Sequence, residues 1–91
     1  MPTTVEISAL IERRSDLHSG RPLLAGTGVS VQRVVGWYKL GLSAEEIAAN
    51  FGHVSLAQVH AALAYYHANR EEIEDYLAAE EAEAKRLAGR L

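Results

Sequence analysis

The amino-acid sequence predicts a mostly α fold: a small three-helix helix-turn-helix bundle with a short N-terminal β element and an amphipathic C-terminal helix. Two observations carry this. From Ser30 onward, apolar residues recur at helical spacing, opened by serine or asparagine and twice closed by glycine. Ahead of them, the run Gly20-Arg21-Pro22-Leu23-Leu24-Ala25-Gly26-Thr27-Gly28-Val29-Ser30-Val31 holds three of the seven glycines and one of the two prolines. Such a run needs positive φ or close backbone approach, so it reads as a shaped turn or short hairpin, not a flexible linker.

Residues 1–9 fit two patterns: Val5, Ile7 and Ala9 alternate like a strand, whereas Val5, Ala9 and Leu10 suit a helical turn. Residues 10–14 read as a short strand, and Arg21 to Leu24 as its return, with Pro22 confined to an edge or a strand end. A two-stranded ribbon alone is barely stable in water, so it is expected to pair with another copy of the chain. The first helix is expected from Val31 to Leu40, with Ser30 as N-cap and Gly41 past its end. The second spans Ala44 to Asn50, opened by the capping box Ser43-x-x-Glu46 and ended by Gly52. The third begins after Ser55, where Gln58 completes another capping box, with Val59, Ala62, Leu63 and Tyr66 facing inward. Asn69-x-x-Glu72 marks the start of a fourth helix, Arg70 to Ala88, with Ile73, Tyr76, Leu77, Glu80, Ala84, Leu87 and Leu91 near one stripe. That stripe is narrow and alanine-rich, which suits a partner or sister chain better than a core.

With 91 residues the chain is one domain, read as segments 1–9, 10–69 and 70–91. A core this small is often helped by oligomerisation, and a homodimer is expected. There is no cysteine, hence no disulfide framework or thiolate metal site. No signal peptide or membrane-length apolar run is visible, so a soluble, cytoplasmic protein is expected. The formal charge is −3, unevenly spread. Residues 1–42 carry five basic and three acidic side chains; residues 43–91 carry four basic and nine acidic. Any phosphate contact would use the first half, and the acidic C-terminal helix would face something else.

The expected DNA-contacting residues are Arg21, Thr27, Arg33, Gln58 and His60, the arginines for phosphate and Gln58 and His60 for base edges. No Arg or Lys lies in the third helix before Arg70, so a basic recognition face is missing. The expected partner-binding residues are Tyr65, Tyr66, Ile73, Tyr76 and Leu77, aromatic and aliphatic anchors, with the carboxylates of the fourth helix steering a basic surface of the partner towards them. His18, His53, His60 and His67 lack the i, i+4 spacing of a helical metal pair and read as surface or dimer-contact residues. No nucleophile elbow, phosphate loop or dinucleotide fingerprint is present. The chain is therefore expected to be no enzyme, with no cofactor, metal, membrane or small-molecule substrate.

The segment Gly20 to Thr27 followed by Val29 and Val31 resembles the signature of the bacterial domain-of-unknown-function family four-three-three. So do the segments 41–47 (GLSAEEI) and 61–66 (AALAYY), and the likeness covers about residues 10–76. The resemblance implies a homeodomain-like helix-turn-helix with an N-terminal β element, self-association, and the antitoxin half of a toxin–antitoxin pair beside a PIN-like ribonuclease. The family's usual arginine after Gly-Thr is replaced here by Gly28. The expected function is antitoxin-like, binding and inhibiting a PIN-like ribonuclease toxin and its own promoter DNA. The rival readings are a DNA-binding regulator without a toxin and a homo-oligomeric interaction module. A gene for an Asp-rich PIN-like nuclease beside this one separates the first reading from the others.

Overall fold

Side chains of serine and threonine set most of the boundaries. The computed structural model describes residues 4–89; residues 1–3, 90 and 91 and the side chain of His18 lie outside the described residues, and with them the expected place of Leu91 on the C-terminal stripe. Within the ambiguous N-terminal segment residues 4–6 are irregular and Ile7–Leu10 form a 3-10 turn that leads into β1 (Ile11–Arg13). β1 pairs antiparallel with β2 (Pro22–Leu24) in the register Ile11↔Leu24, Glu12↔Leu23, Arg13↔Pro22. Pro22 thus sits at a strand end, where its missing N–H costs least. The return turn closes on itself. Thr27 Oγ1 donates to the Leu24 carbonyl at 2.7 Å and accepts from the Val29 N–H at 3.0 Å. The Glu12 carboxylate accepts from the Gly26 N–H at 2.8 Å. Gly26 and Gly28, at φ 73° and 75°, occupy the left-handed region that a side chain would disfavour.

The ribbon does not depend on a second copy for cover. Pro22, Leu23 and Leu24 are all buried, β2 packs against α1 (Val31–Lys39) and α3 (Leu56–Ala68), and Leu23 bridges to Ser30. The expectation of an orphan hairpin is corrected: this chain's own helices supply the apolar surface that a two-stranded ribbon lacks.

The helix starts follow from local capping. Ser30 Oγ accepts from the Arg33 N–H at 3.2 Å and opens α1. Reciprocal capping boxes open α2 (Ala44–Phe51) through Ser43 and Glu46, and α3 through Ser55 and Gln58. Gly52, at φ 78°, ends α2 in the left-handed C-cap conformation. The start of α4 (Arg70–Ala88) differs in its cause. Asn69 makes no N-cap bond; its amide donates backwards to the Tyr65 carbonyl at 3.1 Å, closing α3 instead of opening α4.

The core lies where the three central helices, β2 and the start of α4 meet. It contains Leu24, Val31, Val34, Val35, Ile47, Val59, Ala62, Tyr66 and Ile73. Ile73 is fully buried and Tyr76 and Leu77 pack against the same core, so the first half of α4 belongs to the globule. The expected exposed stripe is therefore corrected over these three residues: the stripe faces α1 and α3 of its own chain. From Ala78 to Ala88 every residue is exposed, with Glu80 still reaching back to Arg21 and Gln32. No helix among the described residues is long and apolar enough to cross a membrane.

Candidate partner-binding surfaces

The carboxylates of α4 meet the cations of the first half of the chain. The Glu72 carboxylate accepts from Tyr65 OH at 2.6 Å, Tyr76 OH at 2.6 Å and Arg13 Nη2 at 2.8 Å. Arg13 also donates to Tyr65 OH and, at 3.1 Å, to the Gly20 carbonyl, so it ties β1 and the ribbon turn to α3 and α4. Burial alone would raise the Glu72 carboxyl; the hydrogen bonds from Tyr65, Tyr76 and Arg13 outweigh it and hold the group below its ordinary value. On the other flank Lys39 Nζ donates to both oxygens of Glu74 at 2.8 and 2.9 Å, and Tyr66 OH donates to the same carboxylate. The bonds from Lys39 and then Tyr66 depress Glu74 as well. Arg21 stacks 4.4 Å from the centre of the Tyr76 ring with Nη1 3.7 Å from Glu80, which also accepts from Gln32 Nε2 at 3.2 Å. Glu81 and Glu83 pair along the helix with Lys85 and Arg86. Most of the acidic charge read from the sequence is thus answered within the chain.

A different surface lies on the outward side of α3. Ala57, Ala61, Ala64 and Ala68 follow one another at helical spacing, and all but Ala61 are exposed. Between this face and the N-terminal segment runs a groove of about 490 Å³, lined by the apolar Ile7, Ile11, Ala61, Ala64 and Ala68 together with Ser8, Glu12, Arg13, Tyr65 and Asn69. A smaller adjoining hollow is flanked by Leu10, Ala57 and His60. Ile7, 70% exposed, stands over both.

A third feature is aromatic. Trp37 of α1 and Phe51 of α2 stack with centroids 4.8 Å apart and planes within 8°. The Arg33 guanidinium lies 5.9 and 5.7 Å from these two centroids. His53 meets Phe51 edge-on and links the α2–α3 turn to the Thr27 carbonyl, its Nε2 at 3.4 Å.

The residues read as DNA-contacting differ in how far they are already engaged within the chain. Arg21 is held by Tyr76 and Glu80. The Thr27 hydroxyl is spent inside its own turn. Gln58 accepts from the Ser55 N–H at 3.0 Å and donates to the Ala25 carbonyl at 2.9 Å, so it joins α3 to the ribbon turn. Arg33 is exposed on the Trp37–Phe51 stack, and His60 is exposed beside the alanine face. Of the residues read as partner-binding, Tyr66 and Ile73 are buried, and Tyr65, Tyr76 and Leu77 are half-buried against the core. Sequence reasoning missed the Arg13–Tyr65–Glu72–Tyr76 network, the Trp37–Phe51 pair and the role of His53. The residues of that network lie up to 59 positions apart, so no local spacing signals them.

Among the described residues no group of three or more His, Asp or Glu is placed to hold a metal ion. No curated protein matches the chain. Its fold is similar to the crystal structure of a DUF433 member protein from Anabaena variabilis ATCC 29413, with a TM-score of 0.72 and 24% identity over 79% of this chain and 71% of that one. The family model described as "Protein of unknown function (DUF433)" matches residues 11–66, the stretch from β1 to Tyr66 that builds the ribbon and the three central helices. Because that match takes in more than half of the chain, the chain belongs to the DUF433 family.

Proposed function

We propose that the chain is a non-catalytic, antitoxin-like protein of a bacterial toxin–antitoxin pair, which binds and inhibits a PIN-like ribonuclease through a protein surface. The observation that supports this best is the outward face of α3. A helix-turn-helix protein carries its base-reading side chains there. This chain carries alanines beside a mostly apolar groove with Glu12 and Arg13 in its lining, and Gln58 is occupied by its own cap and by Ala25. Such a face receives apolar side chains of another protein, not base edges. The cations tell the same way: Arg13, Arg14, Arg21 and Lys39 each have a carboxylate of this chain within 4 Å. Few are left to release counterions from a nucleic acid.

The test starts from the neighbouring gene: a PIN-like ribonuclease found there is co-expressed with the chain, and its absence would count against the antitoxin reading. Wild-type chain is expected to co-purify with that nuclease, and Ala64→Arg, which puts a charge into the groove at an exposed position, is expected to fail. Co-purification that is indifferent to Ala64→Arg would contradict the groove as the contact. A wild-type chain that ignores the nuclease but binds promoter DNA in a Gln58-dependent way would support the regulator reading instead.

A further inference from the structure

We infer that Asn69 is a hinge at which α3 and α4 straighten into one helix, and that two copies of the chain then exchange α4, each closing the other's core. The partner is a second copy of this chain, and no ribonuclease is needed for it. Only Asn69 stands between the two helices, and its φ of −132° and ψ of 48° are off the helical values. Helical hydrogen bonding runs up to this residue and resumes from it. Its N–H donates to the Tyr65 carbonyl at 2.9 Å, and its carbonyl accepts from the Ile73 N–H at 3.3 Å.

Local chemistry does not ask for this break. Residues 56–88 hold no glycine or proline and are rich in alanine, leucine and glutamate, all strong helix formers. Among the described residues no side chain caps α4, since the Asn69 amide donates back to Tyr65. The first N–H groups of a helix find no partner inside it. In one continuous helix those of Arg70, Glu71 and Glu72 reach the carbonyls of Tyr66, His67 and Ala68 at the i→i−4 spacing. The bend is therefore held by what α4 packs on. Ile73 is fully buried, Tyr76 and Leu77 rest on the core, and Glu72 and Glu74 meet Arg13 and Lys39 at 2.8 Å.

None of these tertiary contacts depends on which chain supplies α4. A lone chain that straightens leaves Ile73, Tyr76 and Leu77 in water and does not recover the loss. A second copy in the same state restores each contact, with Glu72 of one copy on Arg13 of the other, and needs no new surface. A connection of one residue favours the exchange. In the closed form it has to turn the chain back onto the core; in the exchanged form it only continues a helix. The hinge also borders the groove, whose lining includes Ala68 and Asn69, so the two forms present the end of that groove differently.

The experiment uses the chain's two lysines, each of which faces a carboxylate. Lys39 of α1 lies 2.8 Å from Glu74 of α4, so a zero-length carbodiimide crosslink there joins two chains only after exchange. Lys85 and Glu81, 3.2 Å apart on one helix, form the control crosslink that stays within a chain. Isotope-labelled and unlabelled full-length chains are unfolded in urea, mixed, refolded at high concentration and separated by size. The dimer fraction is expected to carry mixed-label Lys39–Glu74 crosslinks and unmixed Lys85–Glu81 crosslinks. Asn69→Ala, a better helix former at both hinges of the dimer, is expected to raise the association constant roughly tenfold. Asn69→Gly loses the same bond to Tyr65 but is a poor helix former, and is expected to fall roughly tenfold or more below Asn69→Ala. A dimer whose Lys39–Glu74 crosslinks are all unmixed is a side-by-side dimer and overturns the inference. So does a chain that stays monomeric in both wild type and Asn69→Ala, or an association constant that is the same for the alanine and glycine variants.

Discussion

Replacing Ile73 by alanine tests whether α4 is part of the globule or an appended tail. Ile73 is fully buried between α4 and the rest of the core, with Tyr76 and Leu77 one turn further along. The substitution removes about three buried carbons, worth roughly 2 to 2.5 kcal/mol in transfer free energy. The void left in a packed core adds to this, so the expected loss is about 3 to 4 kcal/mol. Small domains hold on the order of 5 to 10 kcal/mol, so the variant should still fold but near the edge. Urea unfolding followed by Trp37 fluorescence measures the loss directly, because Trp37 stacks on Phe51 in the same body. Leu87→Ala is the internal control. Leu87 is 49% exposed on the distal half of α4, and its truncation should stay within about 0.5 kcal/mol. An Ile73→Ala loss below about 1 kcal/mol, or a Leu87→Ala loss of equal size, would refute the docking of α4. Truncation at Asn69 would remove this core side chain together with the tail.

Two further outcomes follow from the hydrogen bonds. Glu72 and Glu74 are both held below the ordinary carboxylate value of 4.5, so they bind fewer protons folded than unfolded. Their contribution is whole above about pH 4.5 and is lost as the pH falls through the depressed values. Urea midpoints measured from neutral pH downwards should therefore drop below that point, with a shallower drop in Glu72→Gln; an unchanged acid slope in that variant would count against the network. Gln58→Ala removes the capping-box partner of Ser55 and the bond to Ala25, so it is expected to cost about 1 to 2 kcal/mol of stability. A variant with wild-type stability and altered DNA preference would instead make Gln58 a base reader.

Short-range physics made α2 and α3 legible in the sequence. Ser43 with Glu46, and Ser55 with Gln58, satisfy orphan N–H groups within four residues, so their spacing alone marks the helix starts. The break at Asn69 was legible too, though the side chain acts on α3 and not on α4. The cover over Leu23 and Leu24 was not, because it comes from helices that follow them in the chain. Periodicity placed Ile73, Tyr76 and Leu77 on one face but does not say whether that face meets its own globule or another. Likewise Glu72 and Glu80 read as steering charges until Arg13 and Arg21, far away in sequence, are brought beside them. Polar residues at a helix start carry a similar ambiguity. Gln58 suits a base edge and a cap equally well by type, and its geometry here is that of a cap.

The most direct test of the protein-binding account is a titration of RNA cleavage by a purified PIN-like ribonuclease of the proposed pair with the purified full chain. The account predicts that cleavage falls to background near equimolar chain, and that Ala64→Arg needs a large excess to do the same. Undiminished cleavage at saturating wild-type chain would contradict it.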